Sequence, residues 1–327
     1  MKELEGWQRS YLTVGEETRG YYRKGDGRGV IIIHEFPGIE PSLLRLAEEV
    51  VAAGFTVVLP HLFGDPGAGF SARNIAGDIR QFCVRREFSV FARGRTSPIA
   101  GWLRALARDL HEGVGGPGVG VIGMCFTGGF GLAMMADAPV IAPVVAEPSL
   151  PAAIGFPRSA ALRGADLGLS PADADAVADS GCEVLGLRFR TDVTTGTRFE
   201  SLRRLLGERF LSLEFEGRGH SVLTADRQEF AVEEVLAFLD RTVNDATVRR
   251  EAERDRMLES RLETALGSGF EARITHGPDR VTLLIQRGLT RKGLERVQGI
   301  TREVTSVDPE VVRVTPRGAV ASNAAGG

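Results

Sequence analysis

Lysine is nearly absent from this chain of 327 residues: Lys2, Lys24 and Lys292 are the only ones, so arginine carries almost all of the positive charge. Acidic and basic side chains nearly cancel, at a formal net charge of −3. A chain so balanced has no strong field with which to gather nucleic acid or an anionic membrane surface. Long apolar runs are missing too. No stretch approaches the roughly 18 apolar residues of a membrane-spanning helix, and Met1–Trp7 holds no apolar signal core. Cysteine is scarce: Cys83, Cys125 and Cys182 are odd in number and widely spaced. That set excludes a disulfide framework and a clustered zinc site, and it fits a reducing compartment. The expectation is a cytoplasmic protein with no metal or other cofactor, and with neither nucleic acid nor membrane as partner.

What is present is ordinary globular composition, 43% hydrophobic and 25% charged. The length suffices for one large core and a second, smaller unit. Arg9–Val14 and Thr18–Arg23 read as an opening hairpin. Gly29–Ile33, Phe55–Leu59, Val119–Ile122, Val140–Val145, Glu183–Arg190 and Phe210–Phe215 read as strands, several of them continuous apolar runs. Ser42–Ala53, Pro98–His111, Arg198–Leu206 and Arg227–Leu239 have helical spacing. Buried strands alternating with helices predict an α/β fold, a mostly parallel sheet flanked by helices, over residues 1–243. Residues 64–96 are rich in Gly and Arg and suit an excursion over a site. Glu147–Ser180 reads as a loop with a short helix.

From about Ala246 the character changes. A charged helix, Val248–Leu266, precedes Phe270–Thr275, Val281–Gln286, a helix at Arg291–Thr305 and Val311–Val314. This αββαβ order predicts a small α+β appendage over 244–318, followed by a disordered tail, 319–327. Met257, Leu258, Leu262 and Leu266 give the first helix an apolar face, to pack on its own sheet or to join a second copy of the chain; a homodimer through this module is the favoured outcome.

The chemistry gathers around Gly123-Met124-Cys125-Phe126-Thr127-Gly128-Gly129, directly after an apolar strand. A thiol at a sharp strand-to-helix turn stands clear of the backbone, and small neighbours let the turn form. A helix N-terminus beside the sulfur favours thiolate. In open α/β sheets ligands bind at the carboxyl ends of the strands. Glu35, Cys125, Asp192 and His220 all fall at such ends, in the order nucleophile, acid, histidine after the opening glutamate. His34 and His61 also end strands and read as structural.

With Gly123-x-Cys125-x-Gly-Gly interrupted by Thr127, Arg190-Thr191-Asp192, Gly219-His220-Ser221, and Glu35 after the third strand, the chain resembles the dienelactone hydrolase family of α/β-hydrolases, over roughly Gly6–Arg241. The resemblance implies an α/β-hydrolase fold and a triad of Cys125, His220 and Asp192, with Glu35 holding the thiol quiescent until substrate arrives. It implies hydrolysis of a small-molecule ester or lactone through a thioester, with the backbone N–H groups of Phe126 and Phe36 receiving the oxyanion. Family members bind a carboxylated lactone with arginines, one of them four residues beyond the histidine. Thr224 stands at that position here, which weighs against the dienelactone itself. Arg86 and Arg218 are the candidate substrate arginines, and Phe88, Glu147, Phe36 and Phe126 the candidate pocket lining. An acyl transferase, a cyclase or isomerase in the same pocket, and a non-catalytic binding protein remain the alternatives. The C-terminal pattern around Val281–Leu284 is faintly similar to the BON domain.

Overall fold

The computed structural model describes residues 3–67, 94–136, 139–152, 156–244, 257–266, 272–277, 280–285, 290–305, 309–314 and 320–321. Arg86, Phe88 and Cys83 lie outside the described residues. The chain separates into two compact units, Met1–Asp245 and Ala246–Gly327.

The first unit is built on eight strands: β1 Gln8–Val14, β2 Glu17–Lys24, β3 Arg28–Ile33, β4 Phe55–Pro60, β5 Val119–Met124, β6 Val140–Ala146, β7 Val184–Phe189 and β8 Phe210–Phe215. Their order across the sheet is β1-β2-β4-β3-β5-β6-β7-β8. The β1–β2 hairpin and the β2–β4 pairing are antiparallel, and every later pairing is parallel. The mostly parallel sheet read from the sequence is therefore the observed one.

The apolar runs are continuous because the central strands are covered on both faces. Along β3, Ile31 and Ile33 enter one core while Val30 and Ile32 enter the other. On the first face lie α2 (Ile99–Val114), α3 (Gly128–Met134), α4 (Pro157–Gly164), α5 (Pro171–Asp179) and α6 (Arg198–Leu206). That core includes Trp102, Leu106, Val177 and Phe199. On the second face α1 (Pro41–Ala52) and α7 (Glu229–Leu239) supply Leu43, Leu46, Val235 and Phe238. Helix α1 starts where Glu40 accepts the Leu43 N–H at 3.1 Å and Pro41 needs no partner for a missing N–H.

Residues 147–180, read as a loop with one short helix, contain two helices, α4 and α5. Each begins with Pro at its first turn, and the Ser170 side chain caps α5 through the Asp173 N–H. Composition hid them because α4 buries only Gly164 and α5 only Val177, too few positions for an apolar period.

In the second unit a helix over 257–266 (α8) is followed by β9 (Ala272–Gly277), β10 (Arg280–Ile285), α9 (Arg291–Thr305), β11 (Pro309–Val314) and β12 (Val320–Ala321). The sheet order is β12-β11-β10-β9, with β10 and β11 parallel. Val320–Ala321, read as part of the tail, pairs antiparallel with β11. Leu258 and Leu262 of α8 are buried while Met257 is exposed, and Arg261 of α8 pairs with Glu303 of α9 at 2.6 Å. Among the described residues, no helix is long and apolar enough to cross a membrane.

Candidate active site

Five side chains lie just past the carboxyl ends of parallel strands: Glu35 after β3, Cys125 after β5, Glu147 after β6, Asp192 after β7 and His220 after β8. Cys125 has φ +52°, a conformation that a residue with a Cβ adopts only when its surroundings enforce it. Two glycines make the turn feasible. A Cβ on Gly123 would stand 2.6 Å from the Thr127 carbonyl oxygen, and one on Gly128 would stand 2.9 Å from Cβ of Pro148. Thr127, which interrupts the family spacing, is fully buried. Its Oγ1 accepts the Met124 N–H at 2.9 Å and lies 3.1 Å from the Ile33 carbonyl. The hydroxyl thereby ties the turn after β5 to the end of β3.

Cys125 is partly exposed. Its sulfur lies 3.2 Å from Ser149 Oγ, and ligand atoms of Cys125, His220 and Glu35 fall within 4.8 Å of one another. Asp192 Oδ2 is 2.8 Å from His220 Nδ1, which leaves Nε2 as the ring nitrogen for other partners. The Asp192 side chain is 4% exposed and that of His220 31%, so the acid is enclosed and the imidazole reaches the solvent side. Thr194 donates both N–H and hydroxyl to Asp192 Oδ1, at 2.9 and 2.7 Å, and Thr195 donates its hydroxyl to Oδ2 at 2.8 Å. The His220 N–H donates to Asp226 at 2.7 Å.

Burial alone would raise the Asp192 pKa, but the hydrogen bonds from His220, Thr194 and Thr195 and the imidazole charge prevail and hold it at about 2. Burial likewise opposes an imidazolium at His220, yet the bonds to Asp192 and Cys125 and the charges of Cys125 and Glu147 raise its pKa. The site therefore favours a proton on the imidazole.

Glu35 is buried, and its oxygens accept from the Ser221 hydroxyl at 2.8 Å and from the Thr224 hydroxyl. The family resemblance implies that this glutamate holds the thiol; it lies within 4.8 Å of the sulfur while its hydrogen bonds go to the histidine loop, and Ser149 Oγ also lies against the sulfur. Thr224, standing where the family places an arginine, is one of the two hydroxyls on Glu35. Burial, outweighing these neutral donors, raises the Glu35 pKa.

Glu147 is fully buried with φ +33°. Its N–H donates to the Leu187 carbonyl at 2.7 Å and its Oε2 accepts the Val222 N–H at 3.2 Å. Oε1 has no hydrogen-bond partner among the described residues. Burial first, then the neighbouring Glu35 charge, pushes its pKa well above the carboxylate range.

Phe36, Phe63, Phe126 and Phe130 form a chain of ring contacts, with Phe63 and Phe126 centroids 5.6 Å apart. His34, fully buried, accepts the Leu62 N–H on Nε2 at 3.1 Å, so Nδ1 carries the proton toward the Glu35 carbonyl at 3.0 Å. Desolvation takes its pKa down to about 3, in keeping with a neutral, structural ring. His61 contacts the Gly64 carbonyl at 2.9 Å. Arg218 is exposed on the loop before His220.

Sequence reasoning held Ser149 within the pocket-lining segment Ala146–Ser149 and Ser221 within the Gly219-His220-Ser221 motif without giving either a role, and it did not single out Thr194, Thr195, Phe63 or Arg198. Only the threonines carried a local signal, since hydroxyl residues two and three past an Asp often close an Asx-type turn.

Residues 19–153 match the model of the Dienelactone hydrolase family. That span contains Glu35, Cys125, Glu147 and Ser149; Asp192 and His220 follow it. No curated protein matches the chain in sequence. Among solved structures, the chain is similar to a putative dienelactone hydrolase from Klebsiella pneumoniae subsp. pneumoniae MGH 78578, with 15% identity, a TM-score of 0.50, and 73% of this chain and 99% of that one covered. It is also similar to DcsB, solved in complex with its substrate analogue, with 14% identity, a TM-score of 0.53 and the same two coverages, 73% and 99%. At such identities the structural likeness speaks to the fold. With the family match at residues 19–153, the first unit of this chain is similar to the dienelactone hydrolase family and shares its fold with these solved structures.

Proposed function

We propose that the protein hydrolyses carboxylic esters or lactones through a thioester on Cys125. The observation that carries this reading is the imidazole of His220, bonded through Nδ1 to an enclosed Asp192 at 2.8 Å and grouped with the Cys125 sulfur within 4.8 Å. The positive φ of Cys125 supports it, since this is the geometry of a nucleophile lifted at a strand-to-helix turn.

In the proposed reaction the Cys125 thiolate, paired with protonated His220, attacks the carbonyl carbon. The C–S bond forms as the carbonyl π electrons move to oxygen. The Phe126 and Phe36 N–H groups are proposed to receive that oxyanion; one such donor contributes about 3 kcal/mol to barrier lowering in acyl transfer. The C–O bond then breaks, and the alkoxide leaves with the proton of His220. Neutral His220 next takes a proton from water, whose oxygen attacks the thioester; the second tetrahedral intermediate expels the thiolate and releases the acid. Asp192 fixes the imidazole tautomer and stabilises its cationic form. Esters and lactones fit better than amides, because an amine is a poorer leaving group than the thiolate. The Phe36–Phe63–Phe126 cluster supports a partly apolar acyl group, and the scattered cysteines support a reducing, cytoplasmic setting.

Turnover of p-nitrophenyl acetate and of small lactones by wild type, Cys125→Ala and His220→Ala tests the reading. Wild type is expected to turn over and both variants to lose most of their activity. Equal rates in all three would remove the assignment. Cys125→Ser is expected to be much slower than wild type, because a serine hydroxyl ionises far less readily than a thiol.

A further inference from the structure

Arg198 opens helix α6, and its side chain is fully buried. A buried guanidinium ordinarily faces a carboxylate, since an unpaired charge held away from water is strongly unfavourable. Among the described residues no carboxylate oxygen bonds Arg198. Its N–H groups end on main-chain carbonyls instead. Nε donates to Leu150 at 3.1 Å and to Asp166 at 2.9 Å. Nη1 donates to Thr194 at 3.1 Å and Thr195 at 3.0 Å; Nη2 donates to Arg163 at 2.9 Å and to Pro151.

These carbonyls belong to segments on both sides of the reacting pair. Leu150 and Pro151 directly follow Ser149, whose hydroxyl is 3.2 Å from the Cys125 sulfur and whose N–H donates to the Cys125 carbonyl at 3.0 Å. Thr194 and Thr195 are the residues whose hydroxyls hold Asp192. One rigid, planar fork therefore fixes the acid loop and the segment beside the thiol at once.

We propose that Arg198 is a positioning residue for the Cys125 reaction: it clamps the Asp192 loop to the Ser149–Pro151 segment. The proposal rests on Cys125 being the nucleophile, and it explains why a cation is kept in the interior with only dipoles to solvate it. Burial lowers the Arg198 pKa only to about 10, so the guanidinium stays charged at neutral pH.

The test compares wild type, Arg198→Lys and Arg198→Met in the full chain. In folded Arg198→Met kcat is expected to fall about tenfold or more with KM within about twofold. Arg198→Lys cannot reach both segments and is expected to lose kcat in the same way. A merely structural role would lower the urea midpoint and leave the kcat of the folded protein unmoved. Wild-type kcat in folded Arg198→Met overturns the proposal. If near-ultraviolet circular dichroism shows that Arg198→Met does not fold, Arg198→Lys decides: unchanged kcat overturns the clamp. Activity lost in Cys125→Ala but unchanged in both Arg198 variants overturns the clamp alone, whereas activity surviving in Cys125→Ala sinks the hydrolase reading.

Discussion

The hydroxyl of Ser149 lies 3.2 Å from the sulfur of Cys125, on a segment whose backbone is tied to the carbonyl of the same cysteine. A hydroxyl this close can donate to a thiolate, and a hydrogen bond to a charged group contributes about 1.5–3 kcal/mol. Ser149→Ala is therefore expected to lower kcat/KM at pH 7 by about tenfold with its urea midpoint close to that of wild type. An unchanged kcat/KM would show that the hydroxyl gives the sulfur nothing in the reaction.

Glu147 holds a proton more tightly in the fold than in the unfolded chain, since burial raises its pKa. Its contribution to stability is present below the unfolded value near 4.5 and is lost as pH rises through the folded value. Glu35 shifts in the same direction. Glu147→Gln mimics the neutral acid and removes this penalty. Its melting temperature relative to wild type is expected to rise between pH 5 and 9, with a limiting slope of about 1.4 kcal/mol per pH unit. Thermal melts across that range check the sign; a difference independent of pH would show that the carboxyl is ionised in the fold.

Asp192 behaves in the opposite sense. Its pKa of about 2 lies below the ordinary 3.8, so its stabilisation is present above about pH 4 and fades as pH falls toward 2. Asp192→Asn is expected to cut kcat by about three to four orders of magnitude with little change in KM, because the imidazole loses its tautomer and its counter-charge. Urea midpoints should separate the two proteins at pH 6 and converge only as pH falls through about 2.

Thr127 supplies a buried hydroxyl to the Met124 N–H and the end of β3. Thr127→Ala leaves that N–H without its partner, at a cost of about 1–3 kcal/mol. Chemical denaturation should show this loss together with reduced kcat, because the same bonds hold the turn that carries Cys125. Thr127→Gly, which restores the family spacing, is expected to be no better, since it too lacks the hydroxyl.

The strands were legible because sheets buried on two faces demand unbroken apolar runs, as in Gly29–Ile33 and Phe55–Leu59. The opening hairpin was legible from its turn at Gly15. Helices α4 and α5 were not, since their few buried residues leave no periodic stripe. Glu35, Cys125, Asp192 and His220 could be found because each ends a recognisable strand. What could not be read was the use of each group. Glu35 lies within 4.8 Å of the thiol and also accepts from Ser221 and Thr224, the latter 189 residues away in the chain. Arg198 looked like one arginine among many at the start of a helix.

By itself the sequence determined the periodicities, the turn that a small-residue run permits, and the types of chemically capable side chains at strand ends, all of which depend on neighbours a few residues apart. Hydrogen-bond partnership and dielectric surroundings belong to segments that meet only after the sheet has assembled. Tertiary structure alone decided that Ser149 faces the sulfur, that Glu147 is sealed from water with one oxygen unpartnered among the described residues, and that a guanidinium is solvated by six carbonyls around the site. Local pattern encodes shape, whereas the protonation and reactivity of a group follow from what folding brings against it.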